Sequence, residues 1–525
     1  MFSAQTDVTP QRNGTACEPA FESILGEGAA AHAPQPPEFF HDLGLDQVVQ
    51  AVVAPWPDYD LAGFFHANLV SEDAVRYRQE VLRDLEQPPV LEAVRGFTAQ
   101  LREMRRQLQF AAKRYDAHER NRWHLGAALR YGGAVRALAA QLGSSTLASR
   151  GLRRWQAFLG EHIASPPFQR LTGQAAQLQG ALAAISYAVT IDGANVIVQQ
   201  SAGESDYTAE VEETFAKFRR GAVKDYRAKL PVTAGLNHIE AQVLDCVARL
   251  NPETFARLSA FCLDHPCFVD PRIERFDREL HFYLGWLDYI EPLRQAGQPF
   301  CYPGISARSK SVAARGAFDL ALARRLLAEH GTAVGNDFAL QGDERMIVVT
   351  GPNHGGKTTF ARMFGQLHWL ASLGLSVPAV DARLFLFDHM FSHFEREEDI
   401  NNLRGKLHDD LVRVQRILAQ ATPASLVVIN EIFSSTTLED ALYLGHEVLQ
   451  RLQRLDLLAV CVTFLDELAS FSPTVVSMVA ASDAADPAAR SFKLERRPAD
   501  GLAHAMAIAE KYHVTADWLK QRIAP

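Results

Sequence analysis

Residues 350–360, TGPNHGGKTTF, place three glycines, a lysine and two hydroxyls directly after the apolar run MIVV. Residues 351–358 fit G-x-x-x-x-G-K-[ST], with a strand-like run before them and a helix-like run, TTFARMFGQLHWLASLG, after them. Gly351, Gly355 and Gly356 leave the backbone bare, so its N–H groups can curl round phosphate oxygens at a helix N-terminus. Lys357 would meet the β- and γ-phosphates and the Thr358 hydroxyl would ligate Mg2+. Pro352, Asn353, His354 and Thr359 complete the expected nucleotide-binding set. His354 reads either as a nucleotide contact or as a tolerated loop substitution. A plain glycine-rich turn with a chance lysine is the alternative for the whole stretch, and the strand–loop–helix context argues against it.

A second run, SLVVINEIF, reads as a buried strand ending in Asn430-Glu431. An acidic residue at such a strand end commonly helps hold Mg2+, and a glutamate just beyond can take a proton from attacking water. Glu431 fits the base. Asn430 stands where aspartate is expected; it can accept a hydrogen bond but brings no negative charge, which predicts weaker Mg2+ retention or slow turnover.

The elements that must carry these residues follow from periodicity. MIVVT, LVVIN, LAVCVT and TVVSMVA alternate with helical stretches from about 305 to 525, the pattern of an α/β domain with a largely parallel sheet. Upstream, from 38 to about 300, a helical period dominates. Val75, Tyr77, Val81 and Leu82 share one face, and Phe97, Leu101, Met104, Leu108 and Ala112 share another beyond the break at Pro88-Pro89. ISYAVTIDGANVIVQQ alternates about Asp192-Gly193 and predicts a hairpin within that helical segment. Residues 1–37, rich in Ala, Pro and Gly, are expected to be a disordered leader. Phe364 and Trp369 are expected in the core.

A chain of 525 residues supports two or three domains, and its net charge of −9 argues against a uniformly basic nucleic-acid binder while leaving a local basic face possible. Six cysteines without metal-like pairing are expected as reduced, mostly buried thiols, Cys262 and Cys267 included. No run approaches the roughly 18 apolar residues of a bilayer span. A cytoplasmic protein without a membrane partner is the expectation.

Together, TGPNHGGKTTF, LVVINEIFSSTTLEDA and AVCVTFLDEL resemble the ATPase segment of the MutS mismatch-repair family. VGNDFAL before the loop and VPA at 377–379 are similar to that family too, and RYRQEVLRDLEQ resembles the opening of its helical core and lever. The resemblance implies an α + α/β fold, a helical core/lever domain (38–300) followed by a P-loop, ABC-type α/β ATPase domain (305–525), with a clamp-like insertion near 185–235. It implies an ATPase using ATP and Mg2+, a homodimer joined through the ATPase domains, and Thr437 of one subunit reaching the γ-phosphate held by the other. DNA, double-stranded and mismatched or branched, is the implied partner, with a repair protein as a possible second. A nucleotide-gated scaffold that contacts protein and hydrolyses little is the alternative.

The departures are specific. Asn430 replaces an aspartate, Phe433-Ser434-Ser435 replaces Gly-x-Gly, and Phe464 replaces a histidine after Thr463. NLRGKLHDDL replaces a Ser-Thr-Phe loop, with Arg404 and Asp410 the nearest matches. About 55 residues precede the lever-like region, too few for two mismatch-reading domains, so reading by an inserted Phe is not expected of this chain. The cluster Lys217, Arg219, Arg220, Lys224, Arg227 and Lys229 lies where the family grips DNA. Arg102, Arg105, Arg106, Lys113, Arg114, Arg120 and Arg122 form a second basic cluster. Either would bind phosphate by charge and carry no base information, or be a solvated helix face.

Overall fold

A computed structural model describes residues 21–26, 32–193, 195–201, 213–214, 236–352, 355–395, 405–482 and 490–499. It is a mixture of helices and sheets in two compact units, one drawn from residues 1–86, 148–154 and 278–525, the other from 87–147 and 155–277. These units cut across the boundary expected at 300–305, because residues 38–86 belong with the strand-rich part.

The second unit is built of long helices, among them Pro88–Ala112 and Ala117–Gly143. Pro88 and Pro89 open the first of these, where a missing N–H costs nothing. Phe97, Leu101 and Met104 are buried as expected. Ala112 is exposed, and Ala111 with Gln107 takes the inward place, because a 3.6-residue turn returns Met104 to 111 rather than 112. Trp155 stacks on Phe276 with ring centroids 3.7 Å apart. Strands β1 (Tyr187–Asp192) and β2 (Asn195–Gln200) form the expected hairpin, Asp192 opposite Asn195, with Gly193 at φ +60° in the turn.

The first unit holds two sheets. Strands β3 (Gly304–Ser306), β4 (Val312–Ala317), β5 (Asn336–Leu340) and β7 (Asp381–Phe385) make a four-stranded sheet in the order β3-β7-β4-β5. The six-stranded sheet contains β6 (Met346–Thr350), β8 (Met390–Phe394), β9 (Leu426–Asn430), β10 (Leu458–Val462), β11 (Val475–Ser482) and β12 (Arg490–Arg496), ordered β12-β11-β6-β10-β9-β8. All but β12 run parallel. Every residue of β6, β9 and β10 is buried, the reason those segments read as unbroken apolar runs. Burying a valine such as Val348 contributes about 1.5–3 kcal/mol.

Register aligns the carboxyl ends of the strands. Val462 lies opposite both Val349 and Asn430, and Phe394 lies opposite Asn430. The residues that follow β6, β8, β9 and β10 therefore emerge along one edge, the place where open parallel sheets bind ligands.

Two expectations are corrected. Part of the supposed leader is ordered: Phe21, Ile24 and Leu25 are buried, and Ser23 O, Ile24 O and Leu25 O accept from Tyr77, Tyr283 and Arg78 at 2.8–2.9 Å. Three apolar side chains outweigh a polar average. Among the described residues the five cysteines are free, but only Cys461 is buried and Cys267 is exposed. No described helix is long and apolar enough to cross a membrane.

Candidate functional site

The turn from β6 into the helix Lys357–Ser372 is where the sequence places its glycines. Gly351 has φ +114° and Gly356 has φ +92°, conformations an L side chain would strain to hold. A Cβ on Gly351 would lie 3.1 Å from the Ala480 Cβ, and one on Gly355 would lie 2.8 Å from it. The turn is thus a close-fitting cradle of bare backbone. Gly356 is the helix N-cap and makes no side-chain cap bond, so no side chain at that position answers the first amides of the helix. Asn353 and His354 lie outside the described residues.

Lys357 is buried, and its Nζ donates to Gly351 O at 2.7 Å and Pro352 O at 3.1 Å. The same ammonium sits 4.2 Å from the centroid of the Phe464 ring. Thr358 Oγ1 donates to Asn430 Oδ1 at 2.9 Å, joining the ends of β6 and β9 through one hydroxyl and one neutral amide. Thr359 follows in the first helical turn, half-buried.

Glu431 comes next, at φ +58°, its N–H bound to Val462 O at 2.9 Å. Burial pushes its carboxyl pKa above the usual range; Lys357 opposes that shift, Glu395 adds to it, and Lys406 opposes it. A carboxylate shifted in that direction is a better proton acceptor. Thr437 caps the helix Leu438–Arg454: its hydroxyl accepts from the Asp440 N–H at 3.2 Å and donates to Asp440 Oδ2 at 2.8 Å. It is exposed, as are the neighbouring Leu438 and Tyr443.

Sequence reasoning did not find a further group at this edge. Glu395, directly after β8, accepts from Ser434 Oγ at 2.9 Å and is ion-paired with Lys406. The signal was faint because MFSHF mixes polar and apolar residues and does not read as a strand. Asp410 is buried away from this group, 3.3 Å from His393 Nε2. Arg404 lies outside the described residues, as do Lys217, Arg219, Arg220, Lys224, Arg227 and Lys229. In the other basic cluster, Arg105 pairs with Asp277, Arg106 with Glu103 at 3.6 Å and Arg114 with Glu119 at 3.4 Å, so these cations are partly neutralised within their own unit.

The donor set suits a small dication held mainly by substrate. Thr358 and Asn430 supply two neutral oxygens, and no group of three or more His, Cys, Asp or Glu residues able to hold a metal occurs among the described residues. Mg2+ keeps most of its shell as water and phosphate oxygens, which fits so sparse a set.

Residues 347–514 match the sequence family described as MutS domain V. The chain is similar to the DNA mismatch repair protein MutS of Desulfovibrio desulfuricans, 30% identical over 199 residues, 37% of this chain and 21% of that protein. It is also similar to the DNA mismatch repair protein MutS of Shouchella clausii, 33% identical over 122 residues, 23% of this chain and 14% of that protein. The matched regions span about a fifth or less of those relatives.

Proposed function

We infer that this MutS-like chain binds ATP with Mg2+ at the end of β6, hydrolyses it, and couples nucleotide state to its grip on DNA. The observation that carries the reading is the Thr358–Asn430 bond, which sets a hydroxyl and an amide oxygen between the glycine cradle and Glu431. The cradle amides and the helix N-terminus bind phosphate oxygens, and Lys357 exchanges its two carbonyl partners for the outer phosphates. Mg2+, held by Thr358 with Asn430 behind it, neutralises phosphate charge when bound. Glu431 orients the attacking water and accepts its proton at a carboxylate oxygen. Asn430 leaves the ion one charge short, so turnover is slow.

The relatives are named for DNA mismatch repair, which supports double-stranded DNA, mismatched or branched, as the partner. Lys217, Arg219, Arg220, Lys224, Arg227 and Lys229 would supply phosphate contacts. Two copies joined through residues 305–525 would bring Thr437 of one to the nucleotide of the other, and ATP would shift the equilibrium between open and closed pairs.

Glu431→Ala tests the chemistry. The variant keeps ATP binding and loses hydrolysis; hydrolysis at the wild-type rate sinks the assignment of the base. The neutral Asn430 and the overall charge of −9 favour a second reading, a nucleotide-gated scaffold that contacts protein and turns over little. Turnover with and without duplex or branched DNA separates the two, since stimulation by DNA belongs only to the first.

A further inference from the structure

The loop that presents Glu431 is held in a conformation its residues do not favour. Between β9 and the helix Leu438–Arg454, Glu431 and Phe433 both lie at φ +58°, in the left-handed region. A side chain there crowds the carbonyl, and such residues persist only where their surroundings over-determine them. Ile432 and Phe433 are buried in the core cluster with Leu449 and Leu452, which fixes one side of the loop. The other side is exposed, and there Ser434 Oγ donates to Glu395 Oε1 at 2.9 Å. Glu395 follows the last residue of β8, in register with the end of β9, so it is mounted on the sheet rather than on the loop it holds. Lys406, first residue of the helix Lys406–Gln420, pairs with the same carboxylate oxygen.

We propose that Glu395 is a positioning residue for hydrolysis: through Ser434 it clamps the 431–435 loop and so fixes where the Glu431 carboxylate is presented. The inference rests on the reading of Glu431 as the base. Lys406, followed by Ser434, holds the Glu395 carboxyl below the usual range against the opposing effect of burial, so it stays an ionised acceptor near neutrality. Glu395 needs no contact with nucleotide. Its effect belongs in the rate of the chemical step and not in affinity.

The test is nucleotide affinity and single-turnover hydrolysis of full-length Ser434→Ala, Ser434→Thr, Glu395→Ala and the Glu395→Ala/Ser434→Ala pair, beside Glu431→Ala. The two alanine singles are expected to bind Mg2+–ATP within about twofold of wild type and to hydrolyse it about tenfold more slowly. Ser434→Thr keeps the hydroxyl and most of the rate, and the pair is no slower than either single because both remove one contact. Wild-type rates in the singles, multiplied losses in the pair, or a loss confined to affinity would each overturn the proposal. If Glu431→Ala itself hydrolyses normally, the base assignment fails and the positioning role falls with it. If Glu431→Ala is dead while the singles are normal, only the clamp is wrong.

Discussion

Replacing Asn430 by aspartate restores the charge that the site lacks, and the structure gives the sign of two opposite consequences. Asn430 is 8% exposed, its amide oxygen accepts from Thr358 at 2.9 Å, and its neighbour Glu431 is itself pushed toward protonation by burial. Two carboxylates about 4 Å apart repel by about 4 kcal/mol at an effective dielectric of about 20. The charged acceptor strengthens the Thr358 bond by about 1 kcal/mol, and Lys357 screens part of the rest. A net cost of about 2 kcal/mol follows, or a fall of about 4–8 °C in Tm without nucleotide. Mg2+ reverses the balance, because the same repelling charge now faces a dication. Binding of Mg2+–nucleotide should tighten at least tenfold, about 1.4 kcal/mol, and turnover should rise. Thermal unfolding of wild type and Asn430→Asp, with and without Mg2+ and a non-hydrolysable nucleotide, reads both effects. A variant that is more stable than wild type when empty, or that gains nothing extra from Mg2+, refutes the placement of the ion beside residue 430.

Two further outcomes follow from single side chains. Gly351→Ala forces a methyl at φ +114° to within 3.1 Å of Ala480, so we expect a loss of about 1–3 kcal/mol in stability and at least about tenfold weaker nucleotide binding, read by calorimetry. His368 is fully buried, bonded through Nδ1 to Phe364 O at 2.8 Å, with its pKa lowered to about 4 by burial. The unfolded chain therefore binds the extra proton between pH 6.5 and 4, and stability present above pH 6.5 falls by about 3 kcal/mol on acidification. Urea unfolding at pH 7 and pH 4.5 should show that loss in wild type and a flatter response in His368→Leu; equal slopes contradict it.

The glycine cradle and its surroundings were legible because each is enforced locally. Gly351 and Gly356 occupy backbone angles few other residues tolerate, and β6, β9 and β10 are buried on both faces, so composition alone marks them. Phe364 and Trp369 fell in the core for the same reason. What sequence did not reveal depends on contacts distant along the chain. The sheet β3-β7-β4-β5 is assembled from short strands scattered over 304–385, and β8 hides behind Ser392 and His393. Glu395 becomes meaningful only when register sets it against Ser434, and Phe464 only when its ring meets Lys357. Residues 21–26 looked like a solvent-exposed leader because their burial is supplied by residues such as Tyr77 and Tyr283.

Titration of Mg2+–ATP into wild type and Lys357→Ala, followed by calorimetry, bears most directly on whether a triphosphate sits at the end of β6. Lys357 now spends its charge on Gly351 O and Pro352 O, and the bound phosphates are its better partner. Saturable binding by wild type, weakened at least a hundredfold (about 2.7 kcal/mol) in the variant, is the predicted result. Equal binding by both proteins, or none by wild type, contradicts it.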